Sequence, residues 1–503
     1  MPITSRHTGK PFGLPQLLRL LRRTMAVLMF FAVVLFLTGS AWGVALHFKW
    51  AAQIQLVPVI MSVSITGIVI LLAVTFIFGR IYCSTVCPMG FFQDVFARLL
   101  RHNRKAALRH RYRYAPARNV LRYSWLAVVT LTAAAGITIL LTLTDPYSAF
   151  SRMVVCLVRP LIVTDTLVPL AAGTLTGIIV AAFTFLGIAW WSFRTGRSFC
   201  NTLCPAGAAL SLCSRHSLYR MDINTDLCIN CHLCEGLCKA RCIDLHSHTV
   251  DASRCVVCFD CISCCPANAI RYTRHRFRLS LPMMIKVPET APSAVEKPQP
   301  TTVRPIDRRR FLATGLIMAA APIVAAADRK MRHFDAIVPA REPSTDHRPV
   351  FPPGHGSDRS FITRCTGCGA CIAACPGQVL RPASLGEGSF SSTLHPVMNY
   401  DLSYCRYNCN ICTRTCPTGA LTPLPLEEKQ ATVIGLATVD AEACIGCGKC
   451  VGRCPRHAIK MTKTESGRRV VTVDHANCIG CGSCQYICPT TPRRAIVVNG
   501  LRR

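Results

Sequence analysis

Cysteine is the residue whose number and spacing in this sequence most clearly indicate chemistry, with 32 cysteines in 503 residues. Most fall into runs of four. Four runs have the spacing Cys-x2-Cys-x2-Cys-x3-Cys followed by proline, in which three thiolates hold one [4Fe–4S] cluster and the fourth usually ligates a neighbouring cluster. The predicted ligands in these runs are Cys255, Cys258, Cys261, Cys265; Cys365, Cys368, Cys371, Cys375; Cys444, Cys447, Cys450, Cys454; and Cys478, Cys481, Cys484, Cys488.

Two further runs depart from this pattern at one place each. In the first of them Lys239 stands where proline is expected, and Cys242 competes with the last cysteine of the run for the role of fourth ligand. In the second, three residues instead of two fill the first gap. We predict cluster ligands in both: Cys228, Cys231, Cys234, Cys238; and Cys405, Cys409, Cys412, Cys416.

The six runs predict about six clusters, and exchange of the fourth cysteine predicts how neighbouring runs combine. In the first two runs, Cys265 would complete the cluster of Cys228, Cys231 and Cys234, while Cys238 would complete that of the next run. For the last four runs two pairings remain open. Adjacent runs exchange their fourth cysteines, or the first run pairs with the fourth and the second with the third.

A separate pair of motifs has the form Cys-x3-Cys-Pro, with cysteines at Cys83 and Cys87 and again at Cys200 and Cys204. Each belongs to a longer repeat, because GRIYCSTVCPMG from Gly79 matches GRSFCNTLCPAG 117 residues later. On a helix, residues i and i+4 share a face. Three interpretations stay open: the four thiolates meet at a further metal site, they form redox-active dithiols, or the motif only packs the end of a span.

The segments that position these motifs are apolar and long enough to cross a bilayer. Four stretches contain no side chain that is charged at neutral pH: 24–46, 51–78, 123–144 and 166–191. Basic residues precede the first stretch, fill the connection between the second and third, and follow the fourth, which places those ends in the cytoplasm by the positive-inside rule. Because each Cys-x3-Cys-Pro motif follows two stretches, we predict a four-span helical membrane domain built as a two-fold repeat.

Composition excludes two other classes of protein. The 57 Lys and Arg against 25 Asp and Glu give a formal charge of +32, which could indicate nucleic-acid binding. However, each cluster with four thiolates carries about −2, and much of the excess flanks the apolar stretches, so we predict no nucleic-acid partner. A disulfide framework is typical of short secreted chains with less regular spacing. The mean hydropathy of +0.34 favours a membrane protein.

Proline-rich and basic segments divide the chain. Arg308 and Arg309, in the segment DRRRFLA, precede a mildly apolar run and predict either a twin-arginine export signal or a fifth span. Both interpretations send the following residues across the membrane. The expected divisions are a membrane domain at 1–220, a cytoplasmic two-cluster segment at 221–275, a linker at 276–303, the signal or span at 304–330, a linker at 331–360 and a four-cluster domain at 361–503.

The sequence resembles two known families. The four spans, the Cys-x3-Cys-Pro motifs and the two-cluster segment resemble the NapH type of membrane iron–sulfur protein over residues 20–270. The twin-arginine-like segment and the four following runs resemble the NapG or MauM type of periplasmic ferredoxin over 304–495. The resemblance implies a fusion in which an α-helical membrane domain is joined to α+β ferredoxin-like domains.

This resemblance also implies a function. NapH-type proteins are thought to oxidise quinol and to pass electrons through a ferredoxin partner to a periplasmic reductase or dehydrogenase, so the implied partners are the membrane, the quinone pool and a periplasmic reductase or cytochrome. The candidates for handling quinol protons are His47, His102, His110 and Asp165. The main alternative is a maturation factor for a metalloenzyme, and we expect a bacterial cytoplasmic-membrane location in either case.

Overall fold

The computed structural model describes 14–39, 44–99, 112–162, 175–274 and 348–501, except residues 385–386, 388–389, 402, 465–466 and 492. The first part is helical. Its helices are α1 (Leu14–Thr38), α2 (Lys49–Gln53), α3 (Leu56–Met61), α4 (Ile65–Phe78), α5 (Tyr82–Thr85), α6 (Pro88–Leu99), α7 (Asn119–Ala134), α8 (Ile139–Thr144), α9 (Pro146–Met153), α10 (Arg159–Ile162), α11 (Leu175–Thr195), α12 (Ser198–Thr202) and α13 (Pro205–Ser214). A 3₁₀ turn at Ala45–Phe48 and a π-helical turn at Val154–Val158 complete this part.

Two helices among the described residues are long and apolar enough to cross a membrane, within Gln16–Thr38 and Thr176–Thr195. They overlap the first and fourth apolar stretches. The other two stretches are broken. The second is interrupted before Ser64, whose side chain accepts a hydrogen bond from the Gly67 amide at the start of α4, and the third is interrupted at Gly136, whose φ is +87°. Among the described residues, the structure therefore supports two of the four predicted spans by length and composition, and the other two remain predictions.

The first cluster-bearing segment is a small α+β unit. Strand β1 (Tyr219–Ile223) pairs antiparallel with β4 (Ile270–Arg274), so the two ends of the segment lie side by side. Between them are helix α14 (Leu233–Leu237), the hairpin of β2 (Ile243–Asp244) and β3 (Thr249–Val250), and helix α15 (Asp260–Cys264). Each half of the segment thus has the same order of loop, short helix and strand.

The second half of the C-terminal part repeats this arrangement, whereas the described residues of its first half form one strand pair. Its helices are α16 (Asp358–Arg364), α17 (Ala370–Ala374), α18 (Ile411–Thr415), α19 (Leu426–Ala431), α20 (Lys449–Arg453) and α21 (Ser483–Ile487), with a 3₁₀ turn at Phe390–Ser392. Its antiparallel strand pairs are β5 (Leu380–Pro382) with β6 (Pro396–Met398), β7 (Gly435–Val439) with β10 (Ile496–Gly500), and β8 (Ile459–Lys463) with β9 (Arg469–Val473).

The two cluster-bearing parts contact opposite ends of the helical part. Near the start of α1, Arg19 and Arg23 form ion pairs with Asp260 of the first segment, at 2.9 and 3.3 Å. Beyond the end of α1, the ammonium of Lys49 donates to the carbonyl of Arg414 in the C-terminal part. Cys368, Ala370 and Ala373 of that part share an apolar core with α1. Helix α1 thus links the two ends.

Candidate metal centres

The last two cysteine runs enclose two cavities, and each cavity takes three cysteines from one run and the fourth from the other. One is lined by Cys478, Cys481 and Cys484 together with Cys454 of the preceding run. The other is lined by Cys444, Cys447 and Cys450 together with Cys488. Helices α20 and α21, which carry the third cysteine of each run, pack against each other. The structure therefore brings the predicted ligands together with the fourth cysteines exchanged.

The first two runs are arranged in the same way. Cys228, Cys231, Cys234 and Cys265 line one cavity. Cys255, Cys258 and Cys261 line the other, but there both candidates for the fourth position are present, because Cys238 and Cys242 lie at its wall with their sulfurs 3.6 Å apart. The exchange expected from sequence is the one that the structure shows, and both Cys238 and Cys242 lie at the fourth position of the second cavity.

The remaining two runs also exchange their last cysteines. The sulfur of Cys416 lies within electrostatic range of Cys365, Cys368 and Cys371. Conversely, Cys375 lies near Cys405 and Cys412 of the other run. Of the two pairings left open by the sequence, the structure has adjacent runs exchanging. Helices α17 and α18 pack together as α20 and α21 do, so the C-terminal part consists of two similar halves.

In five of the six runs, left-handed backbone at two positions shapes the ligand loop, whereas the run from Cys405 has no left-handed residue. In the run from Cys444, Gly446 and Gly448 have φ of +61° and +71°, values that glycine adopts without steric cost. The first segment has larger residues at the same two positions of its second run, Val257 and Phe259, with φ of +51° and +60°. Such residues cost more to place there. A tightly folded ligand loop is therefore maintained even where the sequence lacks glycine.

These sites fit [4Fe–4S] clusters. Each of the four cavities is lined by cysteine sulfurs among small and aliphatic residues, with no described carboxylate or histidine in position to compete except His232 and Asp260. Burial raises the pKa of Cys234 and of Cys405 to about 11. Thiolate ligands must be deprotonated, so positive iron is needed to ionise them, and binding should release protons.

A buried ion-pair network joins the first segment to the helical part, and it explains the lysine that replaces proline. Lys239 is 5% exposed, and its ammonium lies 3.3 Å from Asp94 of α6 and 3.2 Å from Asp260 of α15. Burial would raise the pKa of Asp94, but Arg197 and Lys239 lower it below the usual range. Burial likewise opposes ionisation of Asp260, yet Lys239 and Arg19 lower its pKa to about 2.

The two Cys-x3-Cys-Pro motifs meet beside this network. Their four thiols are 3–6% exposed and belong to one apolar core: Cys83, Cys87, Cys200 and Cys204. The sulfur of Cys200 donates to the side-chain oxygen of Gln93 at 3.2 Å. The structure thus brings together the four cysteines that the sequence repeat relates, a convergence that either a metal site or a packing motif would produce.

None of the remaining residues that the sequence suggested as functional is seen at these centres among the described residues. His47 lies in the 3₁₀ turn at Ala45–Phe48, whereas His102, His110, Asp165 and the arginine pair at 308–309 lie outside the described residues. A buried polar cluster beyond α8 was missed by sequence reasoning. There Asp145 accepts hydrogen bonds from the amide and hydroxyl of Ser148. Arg152 is buried, and two of its guanidinium nitrogens have no hydrogen-bond partner in the part of the chain that the structure describes. The Asp-Pro pair that starts α9 was the feature of the sequence that could have indicated this cluster.

Comparison with protein families identifies iron–sulfur domains in both parts. A model described as a 4Fe-4S binding domain matches residues 61–106 and 177–223, which include the two Cys-x3-Cys-Pro motifs. Two models described as 4Fe-4S dicluster domains match residues 364–420 and 443–491, and residues 404–459. The chain therefore contains 4Fe–4S ferredoxin-type domains.

Comparison with individual proteins also finds ferredoxin-type relatives. The chain is 34% identical over 116 residues to the methylamine utilization ferredoxin-type protein MauM of Methylobacillus flagellatus, covering 21% of this chain and 46% of that protein. It is 34% identical over 112 residues to the ferredoxin-type protein NapG of Escherichia coli, covering 21% and 47%. An uncharacterised protein of Methanocaldococcus jannaschii is 24% identical over 262 residues, covering 51% and 87%. The chain spans about half the length of the MauM and NapG relatives, and it has an iron–sulfur electron-transfer function of the ferredoxin type.

Proposed function

We propose that this protein is anchored in a membrane and passes electrons from quinol, through [4Fe–4S] clusters, to a periplasmic redox enzyme, with a nitrate-reductase-type system as the favoured acceptor. The observation that carries the proposal is the placement of two ferredoxin-type parts at opposite ends of α1, at Asp260 and at Arg414. Such a protein serves both faces of one membrane. The fusion of a NapH-type with a NapG-type protein, expected from sequence, has the same arrangement.

The four predicted cluster sites of the C-terminal part are joined by contacts. In the C-terminal part, the set with Cys368 touches the helical part and exchanges its fourth cysteine with the set of Cys405. The amide of Cys405 donates to the carbonyl of Cys481 at 2.9 Å, which joins this set to the next. The last set contains Cys447, an exposed cysteine. Contacts between successive sets support one continuous path for electrons.

The membrane topology rests on the four apolar stretches and on the basic residues beside them. The described helices within Gln16–Thr38 and Thr176–Thr195 support two of the four spans. Arg19 and Arg23 lie at the end of α1 that contacts the first segment, so the positive-inside rule places that segment in the cytoplasm. The C-terminal part then lies in the periplasm, where a twin-arginine signal would deliver it.

The buried polar cluster around Asp145 is a better candidate for handling quinol protons than the histidines. Oxidation of quinol to quinone releases two electrons and two protons, so its site needs a carboxylate or another acceptor near a cluster. Asp145 lies within electrostatic range of Cys368. Two nitrogens of Arg152 and the hydroxyl of Thr142 have no hydrogen-bond partner among the described residues, so they can donate to quinone oxygens.

The decisive experiment is anaerobic reconstitution of the full chain, followed by addition of a soluble quinol analogue and EPR of the clusters. Appearance of reduced-cluster signals supports quinol oxidation. If every cluster is present and none is reduced, quinol is not the donor. If the quinol reduces the clusters while a Cys83→Ser, Cys200→Ser variant loses only the ability to mature a copper enzyme in cells, a maturation factor is the better description.

A further inference from the structure

The two cysteine sets of the first cluster-bearing segment have different surroundings. The surface set is the one that contains Cys231, an exposed cysteine, and the neighbouring Ile229 is 65% exposed. The junction set contains Cys255, Cys258 and Cys261, and there Cys258 packs against the apolar core of the helical part. One set therefore lies at the surface of the segment and the other at its junction with the helical part.

Three cations share the carboxylate at the wall of the junction set. Asp260 lines this cavity and is buried. One of its oxygens lies 2.9 Å from Arg19 and 3.3 Å from Arg23, both on α1. The ammonium of Lys239 lies 3.2 Å from the other oxygen. This wall therefore carries more positive than negative charge.

A second buried carboxylate, Asp94 of α6, is shared in the same way. It pairs with Arg197 at 2.9 Å, with Lys239 at 3.3 Å and with Arg22 at 3.5 Å. All three cations are buried, and each lies within electrostatic range of Cys258. Together with the two arginines on Asp260, five cations face two carboxylates beside the junction set.

Two further buried arginines of the helical part hold the loop that precedes Cys255. Arg80 and Arg122 donate to the carbonyl of Ser253 at 3.1 and 2.7 Å. Among the described residues, no carboxylate oxygen lies within 4 Å of either guanidinium. Arg80 also contacts the sulfur of Cys83 at 3.7 Å, so its charge is shared with that motif. The helical part thus adds positive charge at a second point of the junction set.

The surface set has no comparable network. The ion pair at its cavity joins His232 to Glu235 at 2.8 Å, and the histidine side chain is 56% exposed, so water screens this pair. Among the described residues, no ion pair of a lysine or arginine has a member at the wall of this cavity. The two sets therefore differ in the charge that the protein places around them.

This difference acts on the potential of an iron–sulfur cluster, because reduction adds one negative charge and the potential depends on the surrounding charge and on solvent exposure. Neighbouring cations stabilise the reduced form, and buried cations do so with little screening by salt. Burial alone has the opposite effect, because a more negative group is harder to place in apolar surroundings. The excess of cations over carboxylates opposes this effect at the junction set.

We propose that the cations at this junction raise the reduction potential of the junction set above that of the surface set. An electron within the segment then rests beside the helical part rather than at the surface. Lys239 stands where the other five runs have proline, and it supplies one of these charges. The inference requires clusters in both sets but no particular donor or acceptor, so quinol oxidation can fail while the order of potentials holds.

The test is an EPR-monitored redox titration of anaerobically purified full-length protein. An Arg19→Gln, Arg23→Gln variant removes two cations from Asp260, and their side chains are 33% and 37% exposed, so folding should not depend on them. One midpoint should move to lower potential. We expect about a tenfold change in the ratio of reduced to oxidised cluster, which corresponds to about 59 mV for one electron.

The matched control is Arg19→Lys with Arg23→Lys, which keeps both charges and should leave every midpoint at its wild-type value. Unchanged midpoints in the glutamine variant, at full iron content, overturn the proposal. An equal shift in the lysine variant also overturns it, because the effect would then come from packing and not from charge.

A third variant identifies the two sets. Cys231→Ala removes a ligand of the surface set alone, so it should abolish or change the midpoint of that set. This midpoint should be the lower of the two in the segment, and the midpoint that responds to the arginine substitutions should be the higher. The opposite order would mean that burial, and not the cations, determines the potentials, and the proposal would be wrong.

Lys239 gives an independent check at the other oxygen of Asp260. Lys239→Met should lower the same midpoint as the glutamine variant, and Lys239→Arg should retain the wild-type value. A midpoint that does not respond to Lys239→Met, in protein with full iron content, would contradict the proposal. The readout is a potential and does not depend on electron transfer to any partner.

Discussion

At the scale of single residues, the departures from the regular cysteine pattern are the most informative positions. Lys239 replaces the usual proline and is the only described residue that forms ion pairs with both Asp94 and Asp260. Cys242 occupies the place that alanine has in two other runs. The amides of Ala269 and Ala458 donate to the cysteine four residues earlier, each at 3.3 Å. Lys239 and Cys242 therefore adapt the ligand loop to its surroundings, and neither change removes a ligand.

The position of Cys242 leads to a prediction about which thiol binds the cluster. Because Cys242 follows Cys238 by four residues, as Ala269 follows Cys265, we expect Cys238 to be the ligand. Cys242→Ala should retain full iron and sulfide content, whereas Cys238→Ala should lose iron from one cluster. Iron analysis and EPR of the two purified variants check this. The opposite result would make Cys242 the ligand.

The network around Lys239 predicts a loss of stability. Replacing this lysine with methionine leaves Asp260 with Arg19 and Arg23, but it removes the buried charge that joins Asp94 to the first segment. Breaking one partner of a buried pair typically costs about 3 kcal/mol or more. Thermal unfolding in detergent, followed through the visible absorption of the clusters, should show an earlier transition for Lys239→Met. Lys239→Arg is the matched control and should unfold close to wild type.

At the scale of elements, the sequence predicted the ligand loops well and the helices less well. Cluster binding depends on short spacings, so the run from Cys444 could be recognised locally. The exchange of Cys375 and Cys416 depends on which helices pack together, and a local pattern does not contain that information. Helical breaks depend on single residues within apolar stretches. Gly136 interrupts the third stretch, although hydropathy alone does not distinguish it from glycine inside a continuous helix such as Gly187.

The glycine that ends α11 gives a prediction at this scale. Gly196 has φ of +71°, and an added Cβ would lie 2.6 Å from the carbonyl oxygen of Lys239. Gly196→Ala should therefore destabilise the protein by about 2 kcal/mol or more, since the left-handed conformation alone costs about 1–2 kcal/mol. Gly187→Ala in the same helix meets no atom within 4 Å and should be neutral or stabilising by about 0.5–1 kcal/mol. Thermal unfolding of both variants tests this prediction, and equal unfolding midpoints would contradict it.

At the scale of the whole molecule, each of the two cluster-bearing parts has one exposed cysteine among its described predicted ligands. Cys231 is exposed in the first segment, and Cys447 is exposed in the C-terminal part. Beside them, Ile229 and Ile445 are 65% and 67% exposed. An exposed apolar side chain next to a redox centre is suited to docking a partner, because apolar contacts hold two proteins together long enough for an electron to pass. The two ends are therefore similarly built, and in the proposed function they face different partners.

This arrangement predicts that electrons leave the C-terminal part beside Ile445. Ile445→Gln should slow the second-order transfer from the reduced protein to soluble cytochrome c, used as an artificial acceptor. A tenfold loss would correspond to about 1.4 kcal/mol of docking free energy. Iron content and reduction by the quinol analogue should not change, because the substitution alters neither a cysteine nor a buried residue.

Ile229→Gln is the matched control at the other end. Stopped-flow oxidation should slow for Ile445→Gln alone, and equal slowing by both variants would mean that cytochrome c takes electrons from either end and that the exit is not confined to the C-terminal part.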